Sequence, residues 1–225
     1  MSITLQLYNT DSLYSGISNG VDVNSIAYKQ SQVNISSYSA TEMGGNYTGS
    51  NGVPVTIILN GSFDISAFTT TPKTLADLLS SNASLLINSY TQYAAGGALK
   101  ETFLSSSPVS LSSMVYSGTS LTNIQNFYSG NDVFYSSTNN TTSTNPDVVY
   151  GYAGNDTYNA NHLLMTYDDL FYGESGTDTA VLPGKYASYT INAGAVWDEI
   201  NQKNNLIGFT IEDNTKTYNT LQINQ

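Results

Sequence analysis

The sequence predicts a mainly β protein whose carboxy-terminal half winds as a β-solenoid. Three observations support this prediction. The chain is rich in Ser, Thr, Asn, Gly and Tyr, with 18 Tyr and only 10% charged residues, a composition typical of strands. Apolar and polar residues alternate in short stretches such as Ile3–Leu7, as in half-buried strands. From Asp132 onward, short apolar segments begin with Asp at regular steps, and such internal periodicity indicates a solenoid.

Charge and cysteine content narrow the classes of function. The 225-residue chain has a net charge of -11 and six Lys plus Arg. Since phosphate neutralisation needs a basic surface, we expect no nucleic-acid binding and no attraction to an anionic membrane. Cysteine is absent, which excludes disulfides and thiolate metal sites. No apolar run approaches the roughly 20 residues of a membrane span, so no membrane insertion is expected.

The residue pattern changes along the chain, and these changes divide it into three predicted regions. Residues 1–125 are predicted to be a β-rich amino-terminal region, residues 126–182 the repeat region, and residues 183–225 a β capping segment. In the first region, Val53–Leu59 is the strongest strand candidate. The Asn60-Gly61 pair that follows it is a hairpin signal, which predicts a return strand from Ser62.

One helical segment interrupts the first region, near residues 72–105. Thr71-Pro72 places a capping residue before a proline that suits the first helical position. An apolar stripe follows, made of Leu75, Leu78, Leu79, Leu85, Leu86 and Tyr93. Gly96-Gly97 is interpreted as a helix stop.

Five short apolar segments begin with Asp in the repeat region. They start at Asp132, Asp147, Asp156, Asp169 and Asp178. The steps between them are 15, 9, 13 and 9 residues, or nine plus an insertion, nine, nine plus an insertion, and nine. Because the extra residues fall only in alternate steps, they belong to one side of a chain that winds with two strands per turn.

A glycine-aspartate motif precedes three of these segments. Gly151–Asn159 reads Gly-Tyr-Ala-Gly-Asn-Asp-Thr-Tyr-Asn, Gly173–Val181 is a near copy, and Tyr128–Tyr135 is a partial copy. Glycine permits a tight, positive-φ turn that presents carbonyl oxygens beside a carboxylate. This combination suits a hard divalent cation, calcium above all.

These residues resemble the nonapeptide repeats of RTX (hemolysin-type) proteins, the calcium-binding class exported by type I secretion. The resemblance covers about residues 126–182, and Asp178–Ile191 is similar to the segment that often follows the last repeat. Tyr152 and Glu174 stand where the second glycine of the repeat is usual, and the first copy keeps only Gly130 and Asp132.

The resemblance implies a parallel β-roll in which turns two repeats apart stack on the same side. It implies two calcium ions between the turns that end in Asp132, Asp156 and Asp178. The expected metal-site residues are Gly130, Asp132, Gly151, Ala153, Gly154, Asp156, Gly173, Ser175, Gly176 and Asp178. The opposite turns, Thr142–Pro146 and Leu164–Asp168, have lost their glycines, so we expect them to bind calcium weakly or not at all.

The aromatic residues of the repeat region divide into two groups. In rungs of this type the second residue after Asp points inward, which selects Phe134, Val149, Tyr158, Phe171 and Ala180. The remaining tyrosines of the region are Tyr128, Tyr135, Tyr150, Tyr152, Tyr167 and Tyr172. We expect several of them to face solvent, either as an interface or as a solvated aromatic ladder.

No catalytic constellation is recognisable. His162 is the one histidine, and no Gly-x-Ser-x-Gly elbow accompanies it. Asp168 and Asp169 are neighbours whose side chains point to opposite faces of a strand. The sequence therefore predicts that the protein is not an enzyme, with no catalytic residues and calcium as its cofactor.

The predicted function is that of a secreted, non-catalytic, calcium-binding protein that folds with calcium and self-assembles in a surface layer, matrix or filament. The amino terminus lacks the basic region of a Sec signal, so export by an uncleaved carboxy-terminal signal is expected, with an extracellular or cell-surface location. The alternatives are a calcium-dependent adhesin that binds a glycan or cell surface, and an enzyme with an unrecognised site in residues 1–125.

Overall fold

The computed structural model describes residues 1–7, 33–48, 54–68, 71–72, 74–81, 83–117, 125–136, 148–160, 169–198, 203–213 and 220–224. The protein is mainly β, which confirms that part of the predicted fold class. The chain forms two compact units: Met1–Ile3 with Asp22–Phe127, and Thr4–Val21 with Tyr128–Gln225. The predictions made for Thr142–Pro146, His162 and Leu164–Asp168 lie outside the described residues.

The first unit contains an antiparallel meander. Strand β1 (Ile3–Leu7) begins in it, and its further strands are β2 (Asn34–Tyr38), β3 (Glu42–Thr48), β4 (Pro54–Phe63), β5 (Leu85–Tyr93) and β6 (Leu99–Ser110). From β2 to β6, each strand pairs antiparallel with the next along the chain. In β4, Val55, Ile57 and Leu59 are buried while Thr56 is exposed, the alternation of a strand with one face on the core.

Among its described residues, the same unit contains the short helices α1 (Leu75–Ser80) and α2 (Leu111–Ser117), and residues 125–127 are also helical. Thr74 begins α1 with a capping box: the Asp77 amide donates to the Thr74 hydroxyl at 3.2 Å, and the Thr74 amide donates to the Asp77 carboxylate at 2.8 Å. These bonds satisfy two amides that a helix start leaves unpaired.

The prediction of helix over residues 72–105 holds for Leu75–Ser80 and was wrong for the described residues from Ser81 onward, and Thr74 rather than Thr71 caps the helix. Leu85 is buried and Leu86 is more than a third exposed, a period of two that belongs to β5 rather than to a helix. The leucine spacing fitted both periods, and pairing with β4 and β6 decided for the strand. Gly96 and Gly97, with φ of 84° and 82°, form the turn between β5 and β6 instead of a helix stop.

The hairpin predicted at Asn60-Gly61 was also wrong. Strand β4 runs through both residues with a register shift between them, which is a bulge. A Cβ at Gly61 would lie 1.9 Å from the Leu86 carbonyl oxygen. The glycine therefore permits a close approach of two strands rather than a turn.

The second unit contains short parallel strands that alternate between two sheets. Its strands after β1 are β7 (Val133–Tyr135), β8 (Val148–Tyr150), β9 (Thr157–Asn159), β10 (Asp169–Tyr172), β11 (Thr179–Val181), β12 (Tyr189–Asp198), β13 (Lys203–Asp213) and β14 (Thr220–Asn224). Parallel pairing joins β11, β9, β7 and β1 in that order. The other sheet has the order β12-β13-β14-β10-β8, with β14, β10 and β8 parallel.

The side chains between these two sheets are largely those that the repeat predicted. Phe134, Val149, Tyr158 and Phe171 are buried, which confirms their inward orientation. The Phe171 ring lies 5.4 Å from the Tyr158 ring and 6.5 Å from the Phe134 ring. Ala180, the last of the predicted inward residues, is only partly buried.

The expectation that several other tyrosines face solvent was wrong for four of them. Tyr128, Tyr150, Tyr152 and Tyr172 are all buried. The Tyr150 and Tyr172 rings stack at 4.5 Å with an angle of 7° between their planes. Adjacent strands lie about 4.8 Å apart, so register partners on parallel strands bring their rings to stacking distance.

Short 3₁₀ turns lie at Ile65–Ala67 in the first unit and at Tyr186–Ser188 in the second.

Candidate metal centre

Two turns of the second unit repeat the same backbone geometry. Tyr152 and Glu174 have φ of 66° and 63°, while Gly154 and Gly176 have φ of 138° and 140°. Both non-glycine residues thus take the left-handed conformation at the position where the repeat normally has glycine. Because these residues have a Cβ, the left-handed conformation places local strain on the backbone of each turn.

The two turns stack directly on one another. The Ser175 amide donates to the Tyr152 carbonyl and the Gly154 amide donates to the Ser175 carbonyl, both at 2.9 Å. Ala153 and Ser175 face each other in a parallel bridge. The predicted residues Ala153 and Ser175 are therefore brought together.

A column of glycines allows this stacking. A Cβ at Gly154 would lie 2.0 Å from the Gly130 carbonyl oxygen, and a Cβ at Gly176 would lie 1.6 Å from the Gly154 carbonyl oxygen. Contacts this short exclude any side chain at the second and third positions of the column. The structure thus places the predicted Gly130, Gly154 and Gly176 in one line.

The aspartates form a hydrogen-bonded ladder beside the glycine column. The Asp132 amide donates to Asp156 Oδ1 at 2.8 Å, and the Asp156 amide donates to Asp178 Oδ1 at 3.0 Å. Each carboxylate is held by the amide of the preceding turn. The structure therefore brings Asp132, Asp156 and Asp178 into one series, in the order that the repeat predicted.

A second ladder, of asparagines, runs beside the first in the opposite sense, and the sequence analysis missed it. The Asn155 amide donates to Asn131 Oδ1 and the Thr177 amide donates to Asn155 Oδ1, both at 2.9 Å. The available signal was an Asn-Asp dipeptide in two of the three turns. Each Asn side-chain oxygen thus accepts a hydrogen bond from the amide of the next turn and joins two stacked turns.

The second oxygen of each carboxylate is directed into its own turn. Oδ2 of Asp156 and Oδ2 of Asp178 are buried and accept no hydrogen bond. A Cβ at Gly151 would lie 2.3 Å from Asp156 Oδ2, and a Cβ at Gly173 would lie 2.3 Å from Asp178 Oδ2. Gly151 and Gly173 thus leave the space that the carboxylates occupy.

Burial disfavours the charged form of the Asp156 carboxylate in the middle of this ladder. Burial raises the pKa of Asp156 to about 7, and the Asp132 and Asp178 carboxylates add to the rise, against a lowering by the hydrogen bond from the Asp132 amide. Burial also raises the pKa of the Tyr152 phenol, with a contribution from Glu174, so the phenol stays neutral. A buried carboxylate without compensation favours either a proton or a cation.

The donor set fits a hard divalent cation. Carboxylate and carbonyl oxygens are the ligands that calcium takes in proteins, and the chain offers no cysteine thiolate. The Ser175 carbonyl accepts one hydrogen bond, from Gly154, and a carbonyl oxygen has a second lone pair. Within the described ranges no three His, Cys, Asp or Glu side chains converge on one point; the carboxylates lie in a line.

Two further predicted turns, which end in Asp147 and Asp169, lie on the opposite side of the repeat region. Asp147 lies outside the described residues, and Asp169 begins β10.

Comparisons with family models, with curated proteins and with solved structures find no match for this chain. Of the helices that the structure describes, none is long and apolar enough to span a membrane.

Proposed function

We propose that the protein is a non-catalytic calcium-binding protein of the RTX type, in which calcium completes a parallel β-roll. The main support for this proposal is the aspartate ladder, in which Asp156 and Asp178 each have one buried carboxylate oxygen that accepts no hydrogen bond. The parallel strands β7, β9 and β11, which alternate along the chain with β8 and β10, support the roll.

Two ions would lie along the ladder, one on each side of the Asp156 turn. The carboxylates of Asp132, Asp156 and Asp178 would hold them, together with backbone carbonyls near Gly151, Ala153, Gly173 and Ser175. The column of Gly130, Gly154 and Gly176 would keep the turns at the spacing that the stack needs. Calcium would supply the positive charge that the ladder lacks.

Calcium would therefore couple to folding. Ionised carboxylates stacked in adjacent turns repel one another until a cation lies between them. A ligand that binds the folded state alone stabilises it by mass action, about 2.7 kcal/mol at one hundred times the dissociation constant. The second unit is then less stable where calcium is scarce, inside a cell, and compact outside it.

This behaviour suits a secreted protein that folds after export, and we propose type I secretion to the extracellular space or cell surface. Self-assembly in a surface layer, matrix or filament is the role we favour. Exposed apolar side chains such as Val181 and Ile191 support association. A calcium-dependent adhesin is the second candidate, favoured by Tyr186, a residue that is 80% exposed and whose ring can stack on a sugar.

Circular dichroism and thermal unfolding with calcium, with magnesium and with chelator test the calcium function. We expect calcium to raise the unfolding temperature of the wild type and to leave a variant with Asp132, Asp156 and Asp178 all changed to Asn unaffected. Identical spectra and unfolding temperatures in calcium and chelator would refute the proposal.

Light scattering during the calcium titration then separates the two roles. Growth into large species supports assembly, and a monomer that binds glycans supports the adhesin.

A further inference from the structure

The second unit has an apolar groove of about 460 Å³ beside strand β11. Six side chains that line it are Ala180, Tyr186, Ile191, Phe209, Ile211 and Ile223. Tyr186, Ile191 and Phe209 are each at least 39% exposed. The groove is therefore open to an apolar partner.

The groove lies where the mixed sheet extends one strand further than the described part of the parallel set. Beyond β10 the mixed sheet continues into β14, where Ile223 is in register with Phe171. The parallel set ends at β11, whose Ala180 is in register with Tyr158. A small residue in the last strand of this set, and no paired strand beyond it among the residues that the structure describes, leave room next to β11 for one further strand.

The backbone of β11 presents hydrogen-bonding groups to this space. The Thr179 amide donates to the Asp156 carbonyl at 2.8 Å, and the Val181 carbonyl accepts from the Ala160 amide at 2.9 Å. Successive residues of a strand direct their amide and carbonyl groups to opposite sides. The amide and carbonyl of Ala180 therefore point away from β9, toward the open side.

The aspartate ladder also ends at this edge. The amides of Asp132 and Asp156 each donate to the carboxylate of the following turn. In the part of the chain that the structure describes, no further turn offers a carboxylate to the amide of Asp178. A strand that continues the stack would begin with an Asp that fills this place.

We propose that the edge of β11 binds an extended peptide strand of the pattern Asp-x-apolar-x from another protein, by strand addition. The backbone of Ala180 would hold the strand, the Asp178 amide would hold its carboxylate, and the groove would take its apolar side chain. Main-chain bonds supply affinity and side-chain pockets supply specificity in such recognition.

A two-fold dimer that pairs two β11 edges does not satisfy the same geometry. Two copies related by a two-fold axis would pair their β11 edges antiparallel, which puts the partner's aspartate at the far end of the strand from the Asp178 amide. A separate strand that runs parallel to β11 meets both features. The inference does not depend on calcium being the bound cation.

The probe for a direct test is a fluorescein-labelled peptide with the sequence of residues 151–160, because it has an Asp and an inward tyrosine in the required spacing. Fluorescence anisotropy with the full chain should show saturable binding. A peptide in which its Asp is replaced by Ala should bind about tenfold more weakly, as the loss of a charged hydrogen bond predicts.

Two protein variants test the edge itself. Ala180→Pro removes the outward amide and leaves the bonds to β9, a position where a strand tolerates proline. Ala180→Phe fills the groove with a ring of the kind that Phe134 and Tyr158 place at the equivalent positions, and it keeps the test decisive if the proline variant does not fold. Each should weaken peptide binding about tenfold or more, as the loss of a hydrogen bond or of the pocket predicts, with unchanged circular dichroism.

Three results would overturn the inference. The first is that the wild type shows no saturable binding of the peptide, and the second is that the folded variants bind the peptide as tightly as the wild type. The third is a dimer that forms without peptide in sedimentation and that Ala180→Pro dissociates, which would assign the edge to a second copy. Peptide binding by a protein that does not bind calcium would refute the proposed function and support this inference.

Discussion

The Asp156 amide donates a hydrogen bond of 3.0 Å to the carboxylate of Asp178, which lies 22 residues further along the chain. The Asp156 carboxylate in turn accepts from the Asp132 amide at 2.8 Å. Asp156 therefore stands in the middle of the ladder, as donor in one step and acceptor in the other.

Asp156 should matter more for calcium than its neighbours, because it is shared between the two proposed ions. We expect Asp156→Ala to weaken total calcium binding by more than tenfold, and Asp132→Ala or Asp178→Ala to affect about one ion each. Isothermal titration calorimetry measures both affinity and number of ions. Glu42→Ala, at an exposed position of β3, is the control. Equally small losses for all three aspartates would rule out the stacked arrangement.

The stability of the calcium-free protein should fall as pH rises toward neutrality. The pKa of Asp156 is about 7 in the folded protein against an ordinary value of 3.8, so the folded state holds the proton more tightly. This contribution is fully present below the unfolded pKa and is lost as pH rises through the folded pKa. Urea unfolding of calcium-depleted protein at about pH 5 and about pH 7.5 measures it.

The same proton competes with calcium, so calcium affinity should rise with pH through neutrality. Asp156→Asn should reduce both pH dependences. A calcium-depleted wild type that is more stable at the higher pH would contradict this prediction.

The glycine column should not tolerate a methyl group. Gly176→Ala places its Cβ 1.6 Å from the Gly154 carbonyl oxygen at a φ of 140°, so we expect a loss of about 3 kcal/mol or more in the free energy of unfolding. Gly194→Ala is the matched control, because nothing lies within 4 Å of its Cβ. Denaturant unfolding of both variants should separate them. Similar stabilities would mean that the turns do not stack this closely.

Glu174→Gly should stabilise the protein. Glu174 is exposed and has φ of 63°, a conformation that costs a residue with a Cβ about 1–2 kcal/mol. The gain is reduced by the greater freedom of glycine in the unfolded chain, which leaves roughly 0.5–1 kcal/mol. Thermal unfolding measures it. Glu42→Gly, in a regular strand, should be destabilising, and the same sign for both changes would contradict the explanation by strain.

The local features of the second unit follow directly from the sequence. The Asp spacing marked the starts of the short strands, and the glycine motif marked the turns, because both depend on conformational preferences of a few adjacent residues. The inward positions Phe134, Val149, Tyr158 and Phe171 were implied by the resemblance to the nonapeptide repeat, in which the second residue after Asp points inward. The aspartates of the ladder followed from the repeat itself.

Contacts between residues far apart in the chain decided between structures that the local patterns fitted equally well. The leucines at 85 and 86 fit a helix or a strand, and only pairing with β4 and β6 selected the strand. Asn60-Gly61 reads as a turn, yet the Leu86 carbonyl makes it a bulge. Tyr150 and Tyr172 are buried because parallel register stacks their rings.

The sequence by itself predicted the short strands and the glycine-aspartate turns of the second unit, and its resemblance to a known repeat implied the candidate metal ligands. Tertiary structure decided that β1 joins β7 in parallel register, that the Asn ladder accompanies the Asp ladder, and that β11 stands at the edge of its sheet among the described strands. The physical reason is that strand pairing joins residues far apart in the chain. Which edges are covered therefore depends on the whole fold and not on any local preference.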